Sequence, residues 1–189
     1  MPSWQRTLRD ALAWSDDLLT TTERVVFRRL SVFMGGAALE TVEALCNVEN
    51  DRDADLLQAL QALIDLNLVQ CAEGADGAPR VSMLETIREY AGEQLDIAGE
   101  REVYERAHAN YFVALAREAE PALRGGQQVI WLNRLEEEGD NLRAALRWSL
   151  QKGGDASLGV RLAADLWRFW YMSGHLSEAR RWLEMALAS

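Results

Sequence analysis

The residues of this chain that could do chemistry are few, and their spacing works against most chemistries. Its single lysine, Lys152, is followed by Gly153 and Gly154, whereas a phosphate-cradling P-loop needs a lysine followed by Ser or Thr after a glycine-rich turn. Cys46 and Cys71 stand alone, so there is no CxxC clamp for a metal, and neither an HExxH zinc signature nor a GxSxG nucleophile elbow occurs. No nucleophile lies in a pattern with a base, so the chain is expected not to be an enzyme and to hold no metal. His108, among Tyr104, Tyr111 and Phe112, reads as a packing or hydrogen-bonding imidazole. His175 falls in a polar turn and reads as structural, and both cysteines read as small buried apolar side chains. Trp167, Trp170, Tyr171 and Trp182 carry the side chains that anchor interfaces. Their helical spacing fits a core better than a groove, yet Trp167, Trp170 and Tyr171 are the candidate partner-binding residues.

The composition bounds what the elements can build. The chain has 189 residues, 49% of them apolar, with 30 acidic and 20 basic side chains and a formal net charge of −10. It can bury a core, as one large or two small domains, and is not a disordered segment. Binding that releases counterions from DNA requires Lys and Arg against the phosphates, so such a balance excludes nonspecific attraction to polyanions. Two cysteines make no disulfide framework, no signal-peptide pattern opens the chain, and no apolar run approaches membrane-spanning length. A soluble, cytoplasmic protein is expected.

Periodicity supplies the elements. Leu8, Ala11, Leu12, Ser15, Leu18 and Leu19 predict an amphipathic helix over 6–19. Thr20-Thr21-Thr22-Glu23 fits a capping box that opens a helix through Val25, Val26, Leu30 and Phe33, stopped by Gly35-Gly36. Helices over 39–46 and 53–65 follow. Leu68-Val69-Gln70-Cys71 and Arg80-Val81-Ser82-Met83 are β-capable and flank a stretch whose Asp76-Gly77 favours a tight hairpin turn. A helix from Glu85 or Thr86 to Ala98, stopped by Gly99, completes the order expected of a winged helix with flanking helices. The first domain is therefore 1–99. The second, 100–189, shows no strand pattern. Its first long helix is expected to end at Pro121, and a repeat then emerges, because Trp148 and Trp182 lie 34 residues apart within similar Gly…Ala…Trp stretches. That is the tetratricopeptide period. Helices over 158–173 and 176–188 would form one repeat, with Gly174 in the turn and Ala179 at the close approach. Such arrays need several repeats, so Ser189 is expected to be a truncation point. The fold class is thus mostly α, a winged helix followed by a tetratricopeptide-like helical domain. Residues 1–99 carry 8 basic and 17 acidic side chains, and 100–189 carry 12 and 13. The acidity sits on the winged-helix half, where the helix over 53–65 has Asp53, Asp55 and Asp65 and no Lys or Arg, the opposite of a major-groove reader.

Three segments resemble a known family. Thr7-Leu8-Arg9-Asp10-Ala11-Leu12-Ala13-Trp14-Ser15, Phe27-Arg28-Arg29-Leu30-Ser31-Val32-Phe33 and Met83-Leu84-Glu85-Thr86-Ile87-Arg88-Glu89-Tyr90-Ala91 are similar to the winged-helix segment of bacterial signal-transducing STAND ATPases with an NB-ARC-type core, the LuxR- or SARP-type regulators. Tyr111-Phe112, Asn141 to Leu146 and Trp167 to Tyr171 resemble the helical sensor that follows it. The resemblance implies a noncatalytic middle fragment of a regulatory switch. An ATP- or ADP-binding core would precede it in the same protein and be the partner of the winged helix, and the repeats would receive a protein or small-molecule signal. It also implies that Met83, Leu84 and Glu85 occupy the place of a Met-His-Asp motif whose histidine contacts the ADP phosphate. Leu84 cannot donate that hydrogen bond, though Glu85 could cap the next helix. Asp16 departs from the family's aromatic residue after Trp-Ser. Direct DNA binding by the winged helix is the alternative function.

Overall fold

The computed structural model describes residues 3–46, 56–75, 77–151 and 153–189, with side chains described from Arg9 onward. Lys152, Asp53, Asp55 and Asp76 lie outside the described residues. The chain divides into two compact units, Met1–Tyr104 and Glu105–Ser189, and the division falls in the first turn of a helix.

The first unit opens with α1 (Ser3–Asp17). Thr20 caps α2 (Thr21–Arg29) with the reciprocal box its sequence spells. The Thr20 hydroxyl accepts from the Glu23 amide at 3.3 Å, and the Thr20 amide donates to Glu23 Oε2 at 2.8 Å. That pairing satisfies two donors a helix start would otherwise orphan. The helix tightens into a 3-10 turn over Leu30–Val32 rather than running on to Phe33. A two-residue strand, β1 (Ala37–Ala38), leads into α3 (Leu39–Cys46), and α4 (Leu56–Asp65) follows. The hairpin is β2 (Gln70–Glu73) and β3 (Pro79–Ser82), and α5 (Glu85–Ile97) closes the set.

The strands form one antiparallel sheet in the order β1-β3-β2, with Ala37 opposite Val81 and Cys71 opposite Val81 on the other side. β1 is too short to carry a periodicity and was not expected from the sequence. It forms because Gly36, at φ +87°, lets the chain pass where a Cβ would stand 2.7 Å from the Val81 carbonyl oxygen. Leu68 and Val69, expected in a strand, are instead buried in the turn after α4, where both amides donate to the Leu63 carbonyl. α2 packs on α4 and α5, around a core that includes Val26, Phe27, Leu60, Leu63, Ala91 and Leu95. Winged helix-turn-helix order is therefore complete: helix, strand, helix, helix, wing, helix.

α6 (Arg101–Ala122) carries the chain into the second unit. Pro121 sits within its last turn instead of ending it one residue earlier. α7 (Gln128–Glu137), α8 (Gly139–Leu150), α9 (Ala156–Met172) and α10 (Leu176–Ala188) complete the unit. Asp155 caps α9 by accepting from the Ser157 and Leu158 amides, and α9 packs against both α8 and α10. α8 meets α9 at Gly159, where a Cβ would fall 2.5 Å from Leu150 Cδ2. The core of this unit joins Phe112, Ala116, Leu135, Leu146, Leu162 and Trp170 among others.

Candidate functional site

A winged helix that reads DNA does so with its third helix and its wing, so those elements come first. The exposed face of α4 presents Leu57, Gln58, Gln61 and Asp65, and Gln61 Nε2 donates to Asp65 Oδ1 at 2.8 Å. Leu57 is 58% exposed. All four residues of β2 are exposed, including Cys71, which corrects the expectation of a buried thiol: β2 is an edge strand, and no described element covers it. Cys46 is buried as expected, and burial pushes its thiol up to about 12. From Asp53 to Pro79 the sequence has five carboxylates and no cation; among the described residues, α4 and β2 carry Asp65 and Glu73 and no Lys or Arg.

The described arginines of this unit are engaged within it. Arg28 grips Glu100 through two bonds of 2.9 and 2.7 Å, just after the turn that ends α5, and so holds the Glu100 carboxyl below the usual carboxylate range. Arg29 is buried, donates to the Cys46 carbonyl at the end of α3 at 2.9 Å, and stacks 4.7 Å from the Tyr104 ring. Arg101 donates to the Gly92 carbonyl at 2.8 Å and to Asp96, and Arg80 to the Gly36 carbonyl at 3.1 Å. Arg9 pairs with Glu93, and Arg24 bonds the Asp16 carbonyl. Sequence reasoning quoted Arg28 and Arg29 but gave them no role. The sequence signal was weak: two cations stand between the apolar Val26-Phe27 and Leu30, and a guanidinium buried there would need partners.

Met83, Leu84 and Glu85 form the junction between β3 and α5. Met83 lines a small hollow with Leu30, Phe33, Gly36, Val81 and Ser82. Leu84 is the N-cap, 54% exposed and with no side-chain cap bond. Glu85 does not cap α5, contrary to expectation. It is the first residue of the helix, where Arg88 binds it at 2.9 and 2.6 Å and holds its carboxyl down. Arg88 also donates to the Ser31 carbonyl at 3.2 Å. These residues do not fit a nucleotide phosphate: Leu84 has no donor, and the neighbouring guanidinium is already engaged.

In the second unit His108 is buried, and its Nε2 lies 3.2 Å from Asn141 Oδ1. Asn141 Nδ2 donates in turn to the buried Glu138 at 2.7 Å. Desolvation drives the His108 imidazole down to about 4 despite the bond to Asn141. It is the hydrogen-bonding core histidine the sequence suggested. His175 precedes α10 and bonds Glu136 at 3.1 Å. Arg143 clasps Glu178 at 2.7 and 3.0 Å, and Trp182 Nε1 donates to the same carboxylate at 3.2 Å. No group of acidic, cysteine and histidine side chains able to hold a metal occurs among the described residues.

The four aromatic residues that were expected in the core separate. Trp170 and Trp182 are 2% and 5% exposed, whereas Trp167 and Tyr171 are 44% and 68% exposed. The cause is helical phase. α9 buries Leu158, Leu162, Leu166, Phe169 and Trp170 on one face, and the three- and four-residue steps of Val160, Ala164, Trp167 and Tyr171 place those on the other. The three candidate partner-binding residues are therefore not one surface: Trp170 belongs to the core.

Residues 19–96 match the family model described as a winged helix-turn-helix domain. Over 184 residues, 97% of this chain, the sequence is 39% identical to proteins named as candidate HTH-type transcriptional regulators in Mycobacterium tuberculosis and Mycobacterium bovis. Over 99 residues it is 34% identical to an uncharacterized protein of Mycobacterium tuberculosis, covering 24% of that protein. The chain spans 20% of the length of the regulators it matches. No solved structure matches it. No helix among the described residues is long and apolar enough to cross a membrane.

Proposed function

We propose that this chain is a noncatalytic segment of a cytoplasmic transcriptional regulator, in which the winged helix packs against other protein rather than against DNA. The observation that carries this reading is the charge pattern around α4 and the wing: the sequence from Asp53 to Pro79 has five carboxylates and no cation, and the described residues of α4 and β2 include Asp65 and Glu73 and no Lys or Arg. Sequence-independent attraction to DNA comes from cations facing phosphates, and the described arginines around this surface are held by carboxylates and backbone carbonyls. In the longer protein, an upstream NB-ARC-type core would bind ATP or ADP and be the partner of the winged helix. The tetratricopeptide-like helices would receive the signal. Signal binding would shift the population between a closed and an open arrangement. The likeness to regulators about five times as long as this chain supports such an assembly. With Leu84 at the Met-His-Asp position, nucleotide sensing would fall to the core alone.

The test is fluorescence anisotropy of this chain against random and promoter duplexes as salt is varied. No saturation is expected at micromolar protein and moderate salt. Micromolar binding with a steep salt slope would overturn the reading. It would favour the second one, direct DNA binding, which has the winged helix-turn-helix match itself in its support.

A further inference from the structure

The outer face of α9 is a feature of the second unit that its fold does not use. Val160, Trp167 and Tyr171 are 46%, 44% and 68% exposed and stand in one helical stripe. At the far end of the stripe, Gln128 contacts Met172 Sδ at 3.5 Å, which brings the start of α7 alongside. The next two residues of α7, Val129 and Ile130, are 68% and 65% exposed. Apolar area of this kind marks an interaction site when it is contiguous, and Trp, Tyr and Arg are the residue types that carry binding energy.

The charges beside the stripe say what covers it. Arg168 lies with its guanidinium 4.6 Å from the Trp167 ring centroid and its Nε 3.5 Å from Glu120. Arg124 pairs with the same Glu120. Arg117 and Arg161 lie within electrostatic reach of Asp165, but neither side chain makes an ion pair or hydrogen bond among the described residues. Four guanidiniums thus meet two carboxylates, and one oxygen of Asp165 is buried and points away from solvent. This is a locally cationic rim on a chain of net charge −10.

We propose that the α9 face bearing Val160, Trp167 and Tyr171 docks an acidic, apolar segment of a partner protein. Apolar side chains of the segment cover the two rings, and its carboxylates meet Arg161, Arg117 and Arg168. The inference rests on the reading of the helical unit as the half that receives a signal, and it supplies the chemistry of the partner. Stacking rings beside arginines also suit single-stranded nucleic acid. An excess of two cations is too small to hold a polyphosphate against the charge of the whole chain, so the protein segment is favoured.

The experiment titrates the isotope-labelled chain with an amphipathic peptide of Leu, Ala and Glu about 18 residues long, or five helical turns. A counterpart with Lys for Glu and a short oligothymidylate form the other arms. Saturable shifts at the Trp167 indole and the α9 amides are expected with the Glu peptide only, weakening as salt rises. Trp167→Ala and Arg161→Glu, both at exposed positions, are each expected to reduce affinity about tenfold while leaving the fold intact by circular dichroism. Equal binding of the Lys peptide, preferential binding of oligothymidylate, shifts away from α9, no saturable binding, or unchanged affinity in both variants would each overturn the proposal. So would a concentration-dependent dimer in sedimentation that Trp167→Ala abolishes, since the occupant would then be a second copy. Duplex DNA binding is read separately, so failure here leaves the reading of the winged helix standing.

Discussion

The two units differ in where their arginines end up. In the winged-helix unit arginine faces inward: Arg29 is buried against Tyr104 and the Cys46 carbonyl, and Arg28 is locked on Glu100. In the helical unit Arg117 and Arg161 are exposed, within electrostatic reach of Asp165. Net charge alone would not have suggested this. The acidic half uses its described arginines to tie its own elements together. The nearly neutral half leaves cations free for a partner. A fold associated with DNA and a surface able to bind DNA are separate properties, and the proposed reading rests on that separation.

The comparison can be broken most forcefully at α9, where adjacent aromatic residues face opposite ways. Trp170→Ala removes a ring that is 2% exposed in the core and is expected to cost about 3–5 kcal/mol. Tyr171→Ala, one residue on, is expected to change stability by no more than about 0.5 kcal/mol. Urea unfolding followed by hydrogen exchange of the α9 amides separates the two. Similar losses in both variants would mean the stripe is core after all.

Next in size is a pH dependence confined to the helical unit. His108 titrates at about 4 in the folded chain against 6.5 for the free side chain. Between those values the unfolded chain binds more protons than the folded one, so acidification favours unfolding. His108 contributes nothing to this slope above pH 6.5. As pH falls from 6.5 to 4, the second unit is expected to lose on the order of 3 kcal/mol. His108→Gln is expected to flatten that slope. The winged-helix unit differs: the Glu100 carboxyl is held down by Arg28, so its contribution is complete above about 4.5 and is lost as pH falls below that. Denaturation of each unit at a series of pH values reads both windows.

The smallest effect tests the inward arginines. Arg29→Met deletes the donor to the Cys46 carbonyl and one cation near Glu100, which keeps Arg28. A loss of about 2–3 kcal/mol is expected in the winged-helix unit, whereas Arg161→Met at the surface is expected to cost less than about 0.5 kcal/mol. A neutral Arg29→Met, measured by chemical denaturation, would remove the distinction between inward and outward arginines.

What was legible in the sequence follows from how each feature is encoded. The capping box at Thr20 and Glu23 is local chemistry, and the structure realises it bond for bond. α3 and α10 span the residues expected of them, 39–46 and 176–188. β1 has two residues and exists only because β3, more than forty residues away, offers it a free edge, so no local pattern could announce it. Among the candidate site residues, Trp167 and Tyr171 were weighed by type and spacing, which fit a buried face and an exposed one equally well. Only the phase fixed by Leu162, Leu166 and Phe169 decides which ring points out. The Arg29 clamp was hidden for a similar reason: its partners, the Cys46 carbonyl and the Tyr104 ring, come from distant positions, and one of them is backbone.

The meeting of α8 and α9 also constrains how this protein can vary. A methyl group added at Gly159 would overlap Leu150 Cδ2 and Cγ and press on Ser149 Cβ, so the position changes only if the Leu150 side chain moves aside or shrinks. A smaller residue than leucine at 150 would make room for a larger one at 159. The two sites are expected to drift as a pair, and a lineage that lost the glycine would then carry the record of that loss nine residues upstream.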